Sequence, residues 1–247
     1  MANQSETGHA KNVANFSTLI LVVNGYGTAY NPSNQSITAG ALVSLETLAR
    51  DVLKQYNGAL GQNDLAVAAR KTAFEPLSKL STRILNSLKS CDTTEQVDAL
   101  AQSLVRKIQG KRATPKKTEE EKAALLSQGK TAKEVSSSQM SFDNRLDSFD
   151  KLIQLLLGVP QYAPNEEDLK IATLTNYYDR LKATNTSATS TETQLNNARL
   201  LRNQTLYGDG TGLVDAALTV KTYVKSLFGA NSPQYKQVTG LNFKKIN

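Results

Sequence analysis

Apolar residues fall at Phe16, Leu19, Ile20 and Val23 within 12–26, the i, i+3, i+4, i+7 spacing of one helix face. Glycines and Tyr30-X-Pro32 then stop that helix, because proline lacks an amide donor and restricts the residue before it. A longer stretch follows with Leu45, Val52, Ala59, Ala66 and Ala73 seven residues apart. The same order returns further along. Phe149, Leu152, Ile153 and Leu156 make a helix face, Tyr162-X-Pro164 makes a turn, and Leu174, Leu181, Ala188 and Leu195 repeat by seven. A sevenfold repeat rich in alanine predicts a coiled-coil-like seam with close approach of the helices.

Asn165 is the expected cap of the second long helix, with Glu166, Glu167 and Asp168 suited to its positive end. Gly58, Gly61 and the Ser/Thr-rich 184–193 are weak helix formers. The sevenfold phase runs through both patches, and a turn would have no reason to keep it. One helix from Asn165 to Tyr207 is therefore expected, about 43 residues and roughly 64 Å long. Helices at 74–90 and 213–228 follow, then short final segments entered at Thr93 and at Ser232-Pro233. No strand pattern competes. The expected fold is all-α, an elongated helical bundle with long coiled-coil-like helices.

The recurrence points to a two-fold internal duplication. The first helices match at an offset of 133, and the Tyr-X-Pro turns at 132. Ala69-Arg70 pairs with Ala198-Arg199 at 129, and Phe74, Ile84 and Leu88 pair with Leu213, Tyr223 and Leu227 at 139. The last jump coincides with the glycine-rich "YGDGTG" at 207–212. Two copies make a duplicated protein rather than a solenoid, which needs at least three stacked units. The expected organisation is helical repeat 1 at 1–109, a charged linker at 110–140 and helical repeat 2 at 141–247. Whether the repeats merge or stand apart is open at this level.

Composition narrows the class. The chain has 247 residues, 39% hydrophobic and 21% charged, as in a globular protein. The leader "MANQSETGHAKN" lacks the order of a signal peptide, and "LILVV" is far too short to span a bilayer. Cytoplasmic location is the expectation, although export without a cleaved signal would leave the same trace. The net charge of +7 is uneven: residues 1–105 balance, 106–148 carry +4 and 149–247 carry +3. Its densest cluster is Arg106, Lys107, Lys111, Arg112, Lys116 and Lys117, a candidate polyanion contact. Against nucleic acid stand "EEEK" directly after it and the lack of interleaved aromatics for base stacking.

Candidate chemistry is sparse. One histidine, His9, stands in a polar leader and reads as a solvated tail residue. Cys91, the one cysteine, follows a helix beside Asp92, where an acid holds a thiol protonated; a structural thiol is expected. One His and one Cys cannot build the usual zinc sites or a His-based nucleophile machine outside that leader. "GDGTG" lacks the Gly-Lys-Ser/Thr ending and preceding strand of a phosphate loop. Glu119–Glu121 and Glu166–Asp168 are runs of acids on solvated faces, not opposed carboxylates. No cofactor, metal or catalytic residue is expected, and the chain is read as non-enzymatic.

The stretches "GHAKNVANF", "LVRKIQGKRATPKKT", "SFDNRLDSFDKLIQLL", "YAPNEEDLKIATL" and "SPQYKQV" together resemble a group of uncharacterised helical proteins of Bacteroidota bacteria. The resemblance implies a bacterial origin and an all-helical fold, and brings no activity or site. The expected role is a structural or protein-interaction module that self-associates through helix faces, with a homo-oligomer or another protein as partner. The alternative is a polyanion- or nucleic-acid-binding accessory protein using 106–117.

Overall fold

A computed structural model describes residues 8–111, 118–128 and 140–246 of the chain. Among these residues the secondary structure is helical throughout, with no strand. The elements run α1 (His9–Gly25), α2 (Ala39–Phe74), α3 (Leu77–Lys89), α4 (Glu95–Gln109), α5 (Glu119–Ser127), α6 (Phe142–Leu157), α7 (Ile171–Tyr207), α8 (Leu213–Phe228) and α9 (Pro233–Thr239). Short 3-10 turns at Gln35–Ile37 and Glu167–Leu169 lead into α2 and α7. No described helix is long and apolar enough to cross a membrane.

The described chain forms two compact units. One holds Met1–Asp64 and Thr191–Asn247; the other holds Leu65–Ser190. The division falls inside α2 and α7, not at 110–140. The first unit is therefore assembled from both ends of the sequence, and the second from the continuous stretch between them, which draws on residues either side of 129–139.

The first unit buries one stripe of α1 (Val13, Phe16, Leu19, Ile20, Val23) against Leu42 and Ala49 of α2, Leu206 of α7 and the α8 stripe Leu213, Ala217, Val220 and Val224. The segment after α9 is tied to α1 by amide side chains. Asn12 Nδ2 donates to the Lys244 carbonyl at 2.7 Å, the Lys244 amide donates back to Asn12 Oδ1 at 3.2 Å, and Asn15 donates to the Asn242 carbonyl at 2.7 Å.

The second unit buries Phe149, Leu152, Ile153 and Leu156 of α6 with Leu77, Ile84 and Leu88 of α3 and Ala101, Val105 and Ile108 of α4. Leu174 and Leu181 of α7 and Ala73 of α2 complete it. Tyr177 donates to the Ala73 carbonyl at 2.7 Å, joining α7 to α2 within this unit. All four α7 seam residues, Leu174, Leu181, Ala188 and Leu195, are buried. In α2 only Val52 and Ala73 of the five are fully buried.

Both long helices are continuous through Gly58, Gly61 and 184–193, as the unbroken phase predicted. The start of α7 differs from expectation. Asn165 does not cap it: the 3-10 turn at Glu167–Leu169 intervenes, Lys170 is extended at ψ 140°, and α7 begins at Ile171 with 37 residues. Tyr162 donates its hydroxyl to the Leu169 carbonyl at 2.9 Å, pinning the chain to this turn just before α7. The entry to α4 shifts by one residue, since Thr94 rather than Thr93 accepts from the Val97 amide. Ser232 caps α9 with Pro233 in its first turn, as read.

The 110–140 segment holds a helix that sequence reading left as linker. Thr118 and Glu121 form a capping box at the start of α5, each side chain bonded to the other's backbone amide. The Thr-Glu-Glu-Glu run, which looks like solvated charge alone, carries that capping signal.

Candidate interaction surfaces

The basic cluster is brought together only in part. Arg106 and Lys107 stand in the last turn of α4, where cations suit the negative end of the helix dipole. Gly110 ends the helix at φ 67°, with its amide on the Lys107 carbonyl (3.2 Å) and the Lys111 amide on the Arg106 carbonyl (2.9 Å). Lys107 and Lys111 are exposed and Arg106 is half-buried. Arg112, Lys116 and Lys117 lie outside the described residues.

His9 is not a solvated tail residue. It opens α1, and its Nδ1 lies 2.6 Å from Tyr207 Oη, which also accepts from Asn12 at 3.4 Å. Desolvation first, and the Arg202 guanidinium second, pull the imidazole below its usual pKa. Arg202 itself lies 4.3 Å over the Tyr56 ring. Sequence reading missed this because the partner is 198 residues away. Cys91 is half-buried, with its Sγ 3.1 Å from the Ser87 carbonyl.

Beside His9 runs an open groove between the first turns of α1 and the middle of α2, about 690 Å³ and mostly apolar. Ala10, Ala14 and Leu53 line it. It continues past Val13 toward Arg50 and Lys54, while Lys11 stands at its α1 side. Arg50 is held by Glu46 at 2.8 Å and donates to Ser17 at 2.8 Å; the Ser17 hydroxyl and the arginine keep the Glu46 carboxyl below its ordinary pKa.

The second unit has a polar centre of its own. Arg70 donates to Asn185 Oδ1 at 3.2 Å, and Asn185 Nδ2 donates to Asp143 Oδ1 at 2.6 Å. The guanidinium stacks 4.3 Å over Phe142, and its Nε is buried without a hydrogen-bond partner. A smaller depression of about 450 Å³ lies between α3 and the start of α7, rimmed by the Arg83–Asp168 ion pair. Both partners are half exposed, so the pair is screened and adds little to stability.

The glycine-rich segment after Tyr207, residues 208–212, is a loop, as the sequence predicts. The Gly210 amide donates to Asp215 Oδ2 at 2.8 Å, and Lys245 reaches both Asp209 (2.8 Å) and Asp215 (3.1 Å). That amide, followed by the lysine, holds the Asp215 carboxyl below the usual range. Comparison with known protein families, with curated proteins and with solved structures finds no match.

Proposed function

We propose that the chain is a non-enzymatic structural or protein-interaction module that associates with itself through helix faces. The observation that carries this reading is the apolar surface on its helices. Leu65 is 74% exposed on α2, Leu21 72% on α1 and Leu200 68% on α7, each directed to solvent from a regular helix. The groups nearest to chemistry are already engaged in packing: His9 with Tyr207, Cys91 with a backbone carbonyl, Asp215 with a loop amide.

We also infer that the chain is an internal duplication whose two copies exchange halves. The Tyr-X-Pro turns support it. Tyr30 donates to the carbonyl seven residues on (Ile37, 2.7 Å), and Tyr162 does the same to Leu169 (2.9 Å). Burial raises both phenols, Tyr162 to about 12. The offset for the last helices changes from 139 to 136. Leu77, Ser81, Ile84 and Leu88 are buried with the same 4-3-4 spacing as Leu213, Ala217, Val220 and Val224. The Tyr30 ring meets Tyr223, and Tyr162 is opposed by Ser87, also 136 apart. On this alignment each compact unit takes its first helix and half a long helix from one copy, and the rest from the other. The sevenfold α7 seam is read as coiled-coil-like packing on α2. Arg70 and Asn185 join the two helices in one unit, as do Arg202 and Tyr56 in the other.

The polyanion reading rests on Arg106, Lys107 and Lys111 with the three cations beyond them, and the helix end already accounts for the first two. Light scattering after size-exclusion chromatography, with and without duplex DNA, decides between the readings. The module should self-associate and bind DNA no better than micromolar at physiological salt, the range of non-specific contacts. Tight, salt-steep binding lost on replacing all six cations with Gln would overturn it.

A further inference from the structure

We propose that the α1–α2 groove of one copy receives the acidic face of α6 from a second copy. The inference rests on the self-association reading and names the surfaces. The groove offers an apolar floor (Ala10, Ala14, Leu53) with Lys11, Arg50 and Lys54 along its sides. Glu46, one turn before Arg50 on α2, is an acid already engaged by Arg50 and Ser17. On α6, Asp143, Asp147 and Asp150 recur at i, i+4 and i+7, one face of a helix. Asp143 and Asp147 are exposed; Lys151 pairs with Asp147 at 2.6 Å, and Asn185 donates to Asp143.

The spacings agree. Arg50 and Lys54 are four residues apart on α2, as Asp143 and Asp147 are on α6, and each pair spans about 6 Å of helix axis. The α1 stretch that lines the groove, Gly8 to Ala14, and the acidic stretch Asp143 to Asp150 are each about 10 Å long. A helix with acids at that interval lays two carboxylates against the two α2 cations. The exposed alanines of α1 allow its backbone close. One chain carries both complementary faces, which makes a second copy the occupant that charge and geometry select. The contact is small and polar, so the association is weak and falls as salt screens it.

The experiment uses two full-length variants, Arg50→Glu/Lys54→Glu and Asp143→Lys/Asp147→Lys, followed by sedimentation velocity over a concentration series at low and physiological salt. Each variant alone should associate at least about tenfold more weakly than the parent, as opposed charges become like charges. An equimolar mixture of the two retains one native pair of faces and should recover a 1:1 complex of near-parental affinity. If both variants associate like the parent, or the mixture recovers nothing, this inference falls while self-association by another face stands. A parent that stays monomeric at every concentration overturns both. Should circular dichroism show a variant misfolded, the neutral sets Arg50→Gln/Lys54→Gln and Asp143→Asn/Asp147→Asn give the same reading, each weakening association; unchanged association would overturn the inference.

Discussion

The two compact units cover their first helix in different ways. In the unit built on α6, a 15-residue helix, α4, does the covering, and Arg145 of α6 finishes it. Its Nε donates to the Ile108 carbonyl and its Nη2 to the Phe74 carbonyl, both at 3.2 Å. In the unit built on α1, α9 has only 7 residues, and the extended segment after it takes over, bound by Asn12 in both directions. The chemistry follows the cover. Helix C-termini, such as those holding Phe74 and Ile108, expose carbonyls alone, so a donor-only guanidinium fits them. An extended segment exposes both amides and carbonyls, so it needs an amide side chain that donates and accepts. Asn12 and Arg145 are 133 residues apart, the offset at which the two first helices match. On the proposed duplication, the two residues answer one question at matched positions.

The first way to break this comparison is to empty both cores at matched positions. Phe16 in α1 and Phe149 in α6 are both fully buried. Phe16→Ala and Phe149→Ala should each cost about 3–5 kcal/mol in urea unfolding. A loss within about half a kcal/mol at either site, typical of the surface, would show that its unit does not pack as described.

Next come the covering residues. Arg145→Met leaves two carbonyls without their donor, and Asn12→Leu strands the Lys244 amide and carbonyl. Each should lose about 1–3 kcal/mol. Hydrogen exchange sharpens the contrast: Asn12→Leu should raise exchange at the Lys244 amide, while Arg145→Met leaves that amide protected.

Gly58 and Gly61 offer a smaller effect of opposite sign. Both lie mid-helix in α2, and a Cβ at either would meet nothing within 4 Å. Gly58→Ala and Gly61→Ala should each stabilise by about 0.5–1 kcal/mol, since alanine loses less backbone freedom on folding. Destabilisation would mean that α2 bends or is contacted there.

The smallest effect is confined to the first unit. His9 titrates below its ordinary value of about 6.5 in the fold. The unfolded chain therefore takes the proton first, and stability falls as pH drops from about 6.5 toward the lower folded pKa. A stability–pH curve compared between the parent and His9→Gln should show this slope in the parent alone. Equal slopes would remove His9 as its source.

Much of the helical framework could be read from residue spacing. Leu174, Leu181 and Leu195 are buried where the sevenfold repeat put them, and the same repeat carried α7 through 184–193. Periodicity records which face is covered, however, and not by what. Beside Leu42 and Ala49 of α2, α1 packs on Leu206 and the α8 stripe, almost two hundred residues away, and no local pattern encodes that pairing. Asn165 misled because it precedes acids as a cap should, whereas a separate 3-10 turn and an extended Lys170 stand between it and α7. His9 misled because a polar leader looks solvated until Tyr207 is placed against it. The proposed duplication reads at an offset of 139 for the last helices by residue identity and at 136 by their buried positions.

The central claim is that each compact unit needs both halves of the chain. The direct test is a specific protease site introduced within 129–139, cut in the folded full-length protein and run on size-exclusion chromatography with light scattering. The account predicts two fragments that travel together at the mass of the uncut protein and separate only in denaturant. Two fragments that part under native conditions, each folded by circular dichroism, would contradict it.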